Sequence, residues 1–198
     1  MAEKTDRRIR KTKAQLRKGL AELMEKKSIK EITVKELVEQ VDINRSTFYL
    51  HYSDIYDMVE KIENEMIQEI EQLVEDHPVS PFNESSFSFI EDIFAILEEN
   101  KEICAAFLGP NGDIAFLHRI EEIVSRHSLK ALQEVFPEKI QDLKYSYTFC
   151  LSGCVGLIKT WLNGHSGESP QYMAKLTFEL IMNTLKDFYP KKEGISIR

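Results

Sequence analysis

The sequence is poor in residues that staple or interrupt a chain, with 3 cysteines, 6 prolines and 8 glycines among 198 residues. Cys104, Cys150 and Cys154 are odd in number and embedded in apolar runs, which argues against a disulfide framework and for buried thiols in a reducing compartment. The prolines and glycines fall mostly between segments of helical periodicity, and no internal repeat or low-complexity tract is present. No apolar stretch approaches the length that crosses a bilayer, and Met1 to Lys13 is charged rather than a basic flank before an apolar signal core. A cytoplasmic chain without membrane contact is the expectation.

The usual signatures of catalysis are missing as well. There is no phosphate-cradling glycine loop, no Ser/His/Asp order and no nucleophile elbow, so no enzyme is expected. Cys150 and Cys154 stand four apart on one helical face with no histidine at a matching spacing, and His118 and His127 lie nine apart; packed thiols and surface histidines are the reading, with no metal and no cofactor.

What the chain does have is a large apolar fraction, 42%, and an uneven charge. The net value of −7 taken alone argues against a nucleic-acid partner. Residues 1–52, however, carry 13 Lys/Arg against 8 Asp/Glu, a balance of +5, which leaves −12 on residues 53–198. Lys4, Arg7, Arg8, Arg10, Lys11, Lys13, Arg17 and Lys18 are concentrated at the front. Such a block is either a solvated helix face or a surface that neutralises phosphates and releases their counterions.

The next segment weighs on that choice. Leu16, Leu20, Leu23 and Met24 recur at helical spacing and predict an amphipathic helix from Arg7 to about Lys26. Thr33 is a good N-cap with Glu36 at the capping-box position, opening a short helix whose apolar face is Leu37, Val38 and Val41. Asn44 caps a still shorter one, Arg45 to His51, and Asp54 starts a long one. Two short helices joined by about four residues, the second polar outside, have the form of a helix-turn-helix. Arg45, Ser46 and Thr47 offer polar groups to base edges, Tyr49 and His51 can donate to phosphates, and Phe48 and Tyr52 face inward.

The run Ile32-Thr33-Val34-Lys35-Glu36-Leu37-Val38, followed by Ile43-Asn44-Arg45-Ser46-Thr47-Phe48-Tyr49-Leu50-His51-Tyr52, resembles the DNA-binding signature of the TetR family over residues 10–60. That resemblance implies base contacts from Lys35, Arg45, Ser46, Thr47 and Leu50, and phosphate contacts from Thr33, Tyr49 and His51. Three positions depart from the family pattern. Val41-Asp42 stands where a small residue and glycine are usual in the turn, so Asp42 is expected at positive φ or otherwise adapted. Ser28 replaces a glycine, and Ile55 stands where a lysine typically follows the cap of the fourth helix, removing one phosphate contact.

The acidic remainder reads as helices throughout: Asp54 to about Asp76, then 84–99, 101–108, 113–135, 138–163 and 170–188, with breaks at His77-Pro78-Val79-Ser80-Pro81, Gly109-Pro110-Asn111-Gly112, Pro137 and Gly164-His165-Ser166-Gly167. The fold class is therefore all-α, and the resemblance implies its division: an N-terminal three-helix helix-turn-helix DNA-binding domain, 1–54, joined by a long helix to a helical effector-binding and dimerisation domain, 55–198. The family resemblance implies a homodimer, with Val155, Ile158, Trp161, Leu180, Ile181 and Leu185 on the last two helices as its interface, and Gly153 and Gly156 permitting close approach. Tyr145, Tyr147, Phe149, Phe94, Phe107 and Phe116 are ordinary core by spacing. The resemblance implies a cavity for an unknown small-molecule effector, assigned to Phe94, Phe107, Phe116, Tyr145 and Phe149. Glu99-Asn100-Lys101-Glu102-Ile103 and the later Gly153, Gly156 and Trp161 resemble the C-terminal domain of a Gram-positive branch. Some members of that branch act as coactivators with a protein partner. The implied function is a ligand-responsive repressor on a double-stranded DNA operator, with a protein-partnered coactivator as the alternative.

Overall fold

The computed structural model describes residues 2–77, 84–135, 140–164 and 167–186. Among them are α1 (Ala2–Met24), a 3-10 turn (Ile29–Glu31), α2 (Val34–Gln40), α3 (Arg45–Tyr49), α4 (Ile55–Asp76), α5 (Glu84–Glu99), α6 (Lys101–Leu108), α7 (Ile114–Val135), α8 (Ile140–Asn163) and α9 (Pro170–Leu185), and no strand. The expected breaks at Pro78 to Pro81, Pro137 and His165-Ser166 lie outside the described residues, as do the expected ends of the last two helices at 138 and 188.

Side-chain caps account for three helix starts, whereas Asn44 stands at the N-cap position of α3 without the side-chain bond expected of it. The Thr33 hydroxyl accepts from the Glu36 amide at 3.2 Å, the Asp54 carboxylate from the Asp57 amide at 2.8 Å, and the Ser169 hydroxyl from the Tyr172 amide at 3.2 Å. Each satisfies an amide that a helix start leaves without a partner. Asp57 returns the favour by accepting from the Ser53 amide at 2.8 Å, which completes a reciprocal cap and holds its carboxyl below the usual range, helped by Lys61.

One apolar cluster runs from Leu16 and Leu20 of α1 through Leu37, Phe48, Met58 and Ile62 to Phe94, Phe107, Trp161 and Ala174. α1 packs on α6 as well as on α2, α4 on α5 and α7, and α5 on α9. Head and body therefore share one core. Gly19 allows part of this: a Cβ there would lie 2.3 Å from Val41 Cγ1 and 3.1 Å from Leu37 Cδ1, so α1 and α2 touch through a glycine. The side-chain amide of Asn111 also donates to the Met24 carbonyl at 2.9 Å, tying the α6–α7 turn to the end of α1.

Glu63 is the exception in this junction. Its side chain is buried on α4, and Oε1 has no hydrogen-bond partner. Burial, with Asp113 nearby, raises its pKa to about 6, against a smaller opposing pull from Arg119. A carboxyl whose folded-state pKa lies above the ordinary 4.5 favours the folded chain when protonated, so stability falls as pH rises through about 4.5 to 6 and the penalty is complete above that window. At about 1.4 kcal/mol per pH unit, Glu63→Gln should raise stability at pH 7.5 by roughly 2 kcal/mol and flatten the pH dependence between 4.5 and 6.5. Urea unfolding across that range measures both.

Candidate nucleic-acid interface and internal cavity

The turn between α2 and α3 is built from backbone geometry that few residues accept. Asp42 has φ 53, in the left-handed region. Its neighbours close the end of α2: the Ile43 amide donates to the Val38 carbonyl at 3.0 Å and the Asp42 amide to Glu39 at 3.5 Å, the paired bonds of a Schellman motif. The Asp42→Gly change should thus stabilise the fold by about 0.5–1 kcal/mol, since the side chain is exposed and only the backbone is strained. A shift of the thermal midpoint without a change in far-UV circular dichroism would show it.

α3 is held from one side. Phe48 and Tyr52, four apart, are buried with their rings 5.6 Å apart, and Phe48 meets the Tyr49 ring edge-on at 5.5 Å. That phase turns Arg45, Ser46, Tyr49 and Leu50 outward, Leu50 to 79% exposure, and leaves Thr47 and His51 half-buried. Thr33 and Lys35 at the start of α2 are exposed as well; the Lys35 ammonium reaches Glu39 only loosely, at 3.9 Å. The His51 carbonyl accepts from the Lys61 ammonium at 3.1 Å, which ties α4 to the end of this segment. Ile55 is buried in the core.

The basic block of α1 divides in two. Arg17 and Lys13 both pair with Glu65 of α4, Lys13 at 3.3 Å, whereas Arg7, Arg8, Arg10, Lys11 and Lys18 are exposed. Two of the cations expected at a phosphate surface are thus spent inside the molecule, a pairing that the spacing within α1 alone does not reveal.

Inside the body lies a cavity of about 290 Å³ between α4, α5, α6, α7, α8 and α9. Its wall is nearly all hydrocarbon, with Met66, Ile70, Phe94, Phe116, Ile158 and Ile181 among the lining residues. Of the aromatic set assigned to such a cavity, Phe94 and Phe116 line it. Phe107 stands behind Phe116, ring centroids 5.2 Å apart, and does not reach the space. Tyr145 and Phe149 are corrected outright, being 76% and 70% exposed on the outer face of α8. Tyr147 enters from the inner face, with its hydroxyl 2.6 Å from Ser128 Oγ.

All three thiols, Cys104, Cys150 and Cys154, also line the space, and burial pushes Cys104 up to about 12 and Cys154 to about 11. They are protonated packing groups at neutral pH rather than nucleophiles.

The residues assigned to a dimer face need the same re-sorting. Trp161 is 5% exposed, with its ring 5.3 Å from Phe94 and its indole N–H donated to the Glu168 carbonyl at 3.0 Å; Leu185 is buried, and Val155, Ile158 and Ile181 line the cavity. These five serve the subunit's own interior, and only Leu180 stands exposed. The outer face of α8 carries Tyr145, Phe149, Gly153 and Gly156 instead, and a Cβ on either glycine would meet nothing within 4 Å. Their exposure was hidden in the sequence because α8 is apolar on both sides.

An all-helical chain with a capped helix-turn-helix head, a long connecting helix and a cavity-bearing body is the architecture of a transcriptional regulator. The family model for the transcriptional regulator C-terminal region of TetR type matches residues 84–183, and the chain belongs to the TetR family. It is 22% identical over 180 residues to the uncharacterized HTH-type transcriptional regulator YxbF of Bacillus subtilis (strain 168), covering 89% of this chain and 46% of that protein, so the chain spans about half the length of this curated relative. The TetR transcriptional regulator of Streptococcus agalactiae shares the fold with TM-score 0.54 and 21% identity, over 91% of this chain and 99% of that one. The regulator FadR of Bacillus subtilis, solved in complex with stearoyl-CoA, has TM-score 0.56 and 18% identity, over 86% and 98%. At these identities the structural likeness concerns the fold. No helix among the described residues is long and apolar enough to cross a membrane.

Proposed function

We propose that this TetR-family regulator is a cytoplasmic, sequence-specific DNA-binding homodimer whose operator affinity is set by a small molecule held in the body cavity. The observation that carries the reading is the outward set Thr33, Lys35, Arg45, Ser46 and Tyr49, presented on one side of a segment whose other side, Phe48 and Tyr52, is locked in the core. Lys35, Arg45, Ser46, Thr47 and Leu50 are then the base-facing residues, and Thr33, Tyr49 and His51 those at phosphates. The functional division falls at 54/55, with residues 1–54 on the duplex and 55–198 serving the effector and the partner subunit. A single head offers too few contacts for specific recognition, and the exposed apolar strip Tyr145, Phe149, Gly153, Gly156 and Leu180 on α8 and α9 supplies a face on which a second copy can pack. Because head and body share one core, a ligand that prefers one arrangement of α4 shifts the separation of the two heads.

A second reading is a coactivator that works through another protein and binds DNA weakly by itself. The burial of Ile55, the loss of Lys13 and Arg17 to Glu65, and the exposed Tyr49, Leu50 and Tyr56 on the head favour it. Fluorescence anisotropy on the DNA upstream of the chain's own coding sequence, with salt raised stepwise, decides between them. A linear fall of log affinity with log salt supports autonomous binding; no complex even at low salt supports the partnered reading and removes the first.

A further inference from the structure

Threonine and serine hydroxyls inside helices normally donate to the carbonyl one turn back. Thr148, Thr160 and Thr184 do so at 2.9 Å each, and Ser128 at 2.6 Å. Thr177 of α9 does not. Its side chain is 3% exposed, it stands in the cavity wall, and its Oγ1 has no hydrogen-bond partner. An orphaned hydroxyl in an apolar wall costs stability unless something in the cavity meets it. The surroundings say what that something is. The described lining contains no lysine, arginine or aspartate. Its one carboxylate, Glu121, is turned to His118 Nδ1 at 3.1 Å; His77 has Nδ1 3.1 Å from the Leu73 carbonyl and Nε2 3.2 Å from Asp92 and 3.4 Å from Ser88 Oγ; His127 is on the surface side. A buried anion or cation would be left without a counter-charge and would lose several kcal/mol to desolvation. The volume lies near the lower end of the range for small-molecule sites.

We propose that the cavity takes an uncharged, mainly hydrocarbon molecule bearing one hydrogen-bonding oxygen, and that Thr177 is the group that reads this oxygen. The assignment rests on the reading of the cavity as the effector site. It sets this chain apart from a regulator that holds an acyl-coenzyme A, whose phosphates need cations.

Three probes with the same ten-carbon chain, 1-decanol, decanoate and decyltrimethylammonium, separate the possibilities. Binding to the full chain is followed by isothermal calorimetry and by emission of Trp161, the single tryptophan, which packs on the cavity residue Phe94. Decanol should bind about tenfold or more tighter than either ion. Thr177→Val, of nearly the same shape, should weaken decanol roughly fivefold, and Thr177→Ser should restore it. Equal or tighter binding of decanoate or the ammonium overturns the ligand class while the effector site stands. Unchanged decanol affinity in Thr177→Val overturns the role of Thr177. If none of the probes binds, both the ligand class and the effector reading beneath it fall.

Discussion

Arg45→Ala is expected to weaken binding to the preferred operator by roughly ten- to a hundredfold per site while leaving binding to unrelated duplexes nearly unchanged. Arg45 opens α3, is exposed, and makes no contact that the fold depends on, so its loss subtracts recognition without unfolding the head. Tyr49→Phe is the informative partner experiment. On the proposed reading its exposed hydroxyl meets a phosphate, and its ring, edge-on to Phe48, is kept in the variant, so all sequences should weaken together by a few-fold. Selection from a randomised duplex pool reads the two apart: Arg45→Ala broadens the selected motif, and Tyr49→Phe retains it. Identical behaviour of the two variants would reverse the division into base and phosphate contacts.

The second large effect concerns stability. Phe48→Ala should cost about 3–5 kcal/mol, the usual price of an emptied aromatic site. Phe48 is completely buried and is the one core residue within α3. A five-residue helix has almost no intrinsic stability, so it exists because that ring is anchored against Tyr52 and the core. Unfolding in urea followed at 222 nm gives the loss, and because head and body share one apolar cluster the transition should move as a whole rather than split. A separate early transition in the variant would mean that the head unfolds by itself.

Much of the architecture was legible before any coordinates. The helix expected from Asp54 to about Asp76 spans Ile55–Asp76, and those expected at 84–99 and 101–108 have those bounds. Capping explains the starts of α2 and α4, since Thr33 and Asp54 announce a helix start through chemistry confined to three or four residues, and apolar periodicity between turn residues explains α5 and α6. The strained turn was readable through the family resemblance instead: Asp42 stands where that pattern has glycine, and its φ is 53. Less of the cavity was readable. Tyr145, Tyr147 and Phe149 are two residues apart, and helical rotation sends Tyr147 inward and its neighbours outward. Nothing in composition says which way α8 is turned.

Local patterning, then, determined where α4, α5 and α6 begin and end, where α2 and α3 start, and that the front of the chain is basic, whereas α1 begins at Ala2 rather than Arg7 and α3 ends at Tyr49 rather than His51. The former depend on neighbours within one or two turns, which the order of residues specifies directly. Packing between distant helices alone decided which apolar stripe of α8 and α9 is interior, that Glu65 claims Arg17 and Lys13, and that the Thr177 hydroxyl is stranded in a hydrocarbon wall. A helix that is apolar on two sides has no single solution for its rotation about its own axis; only the surfaces it meets supply one.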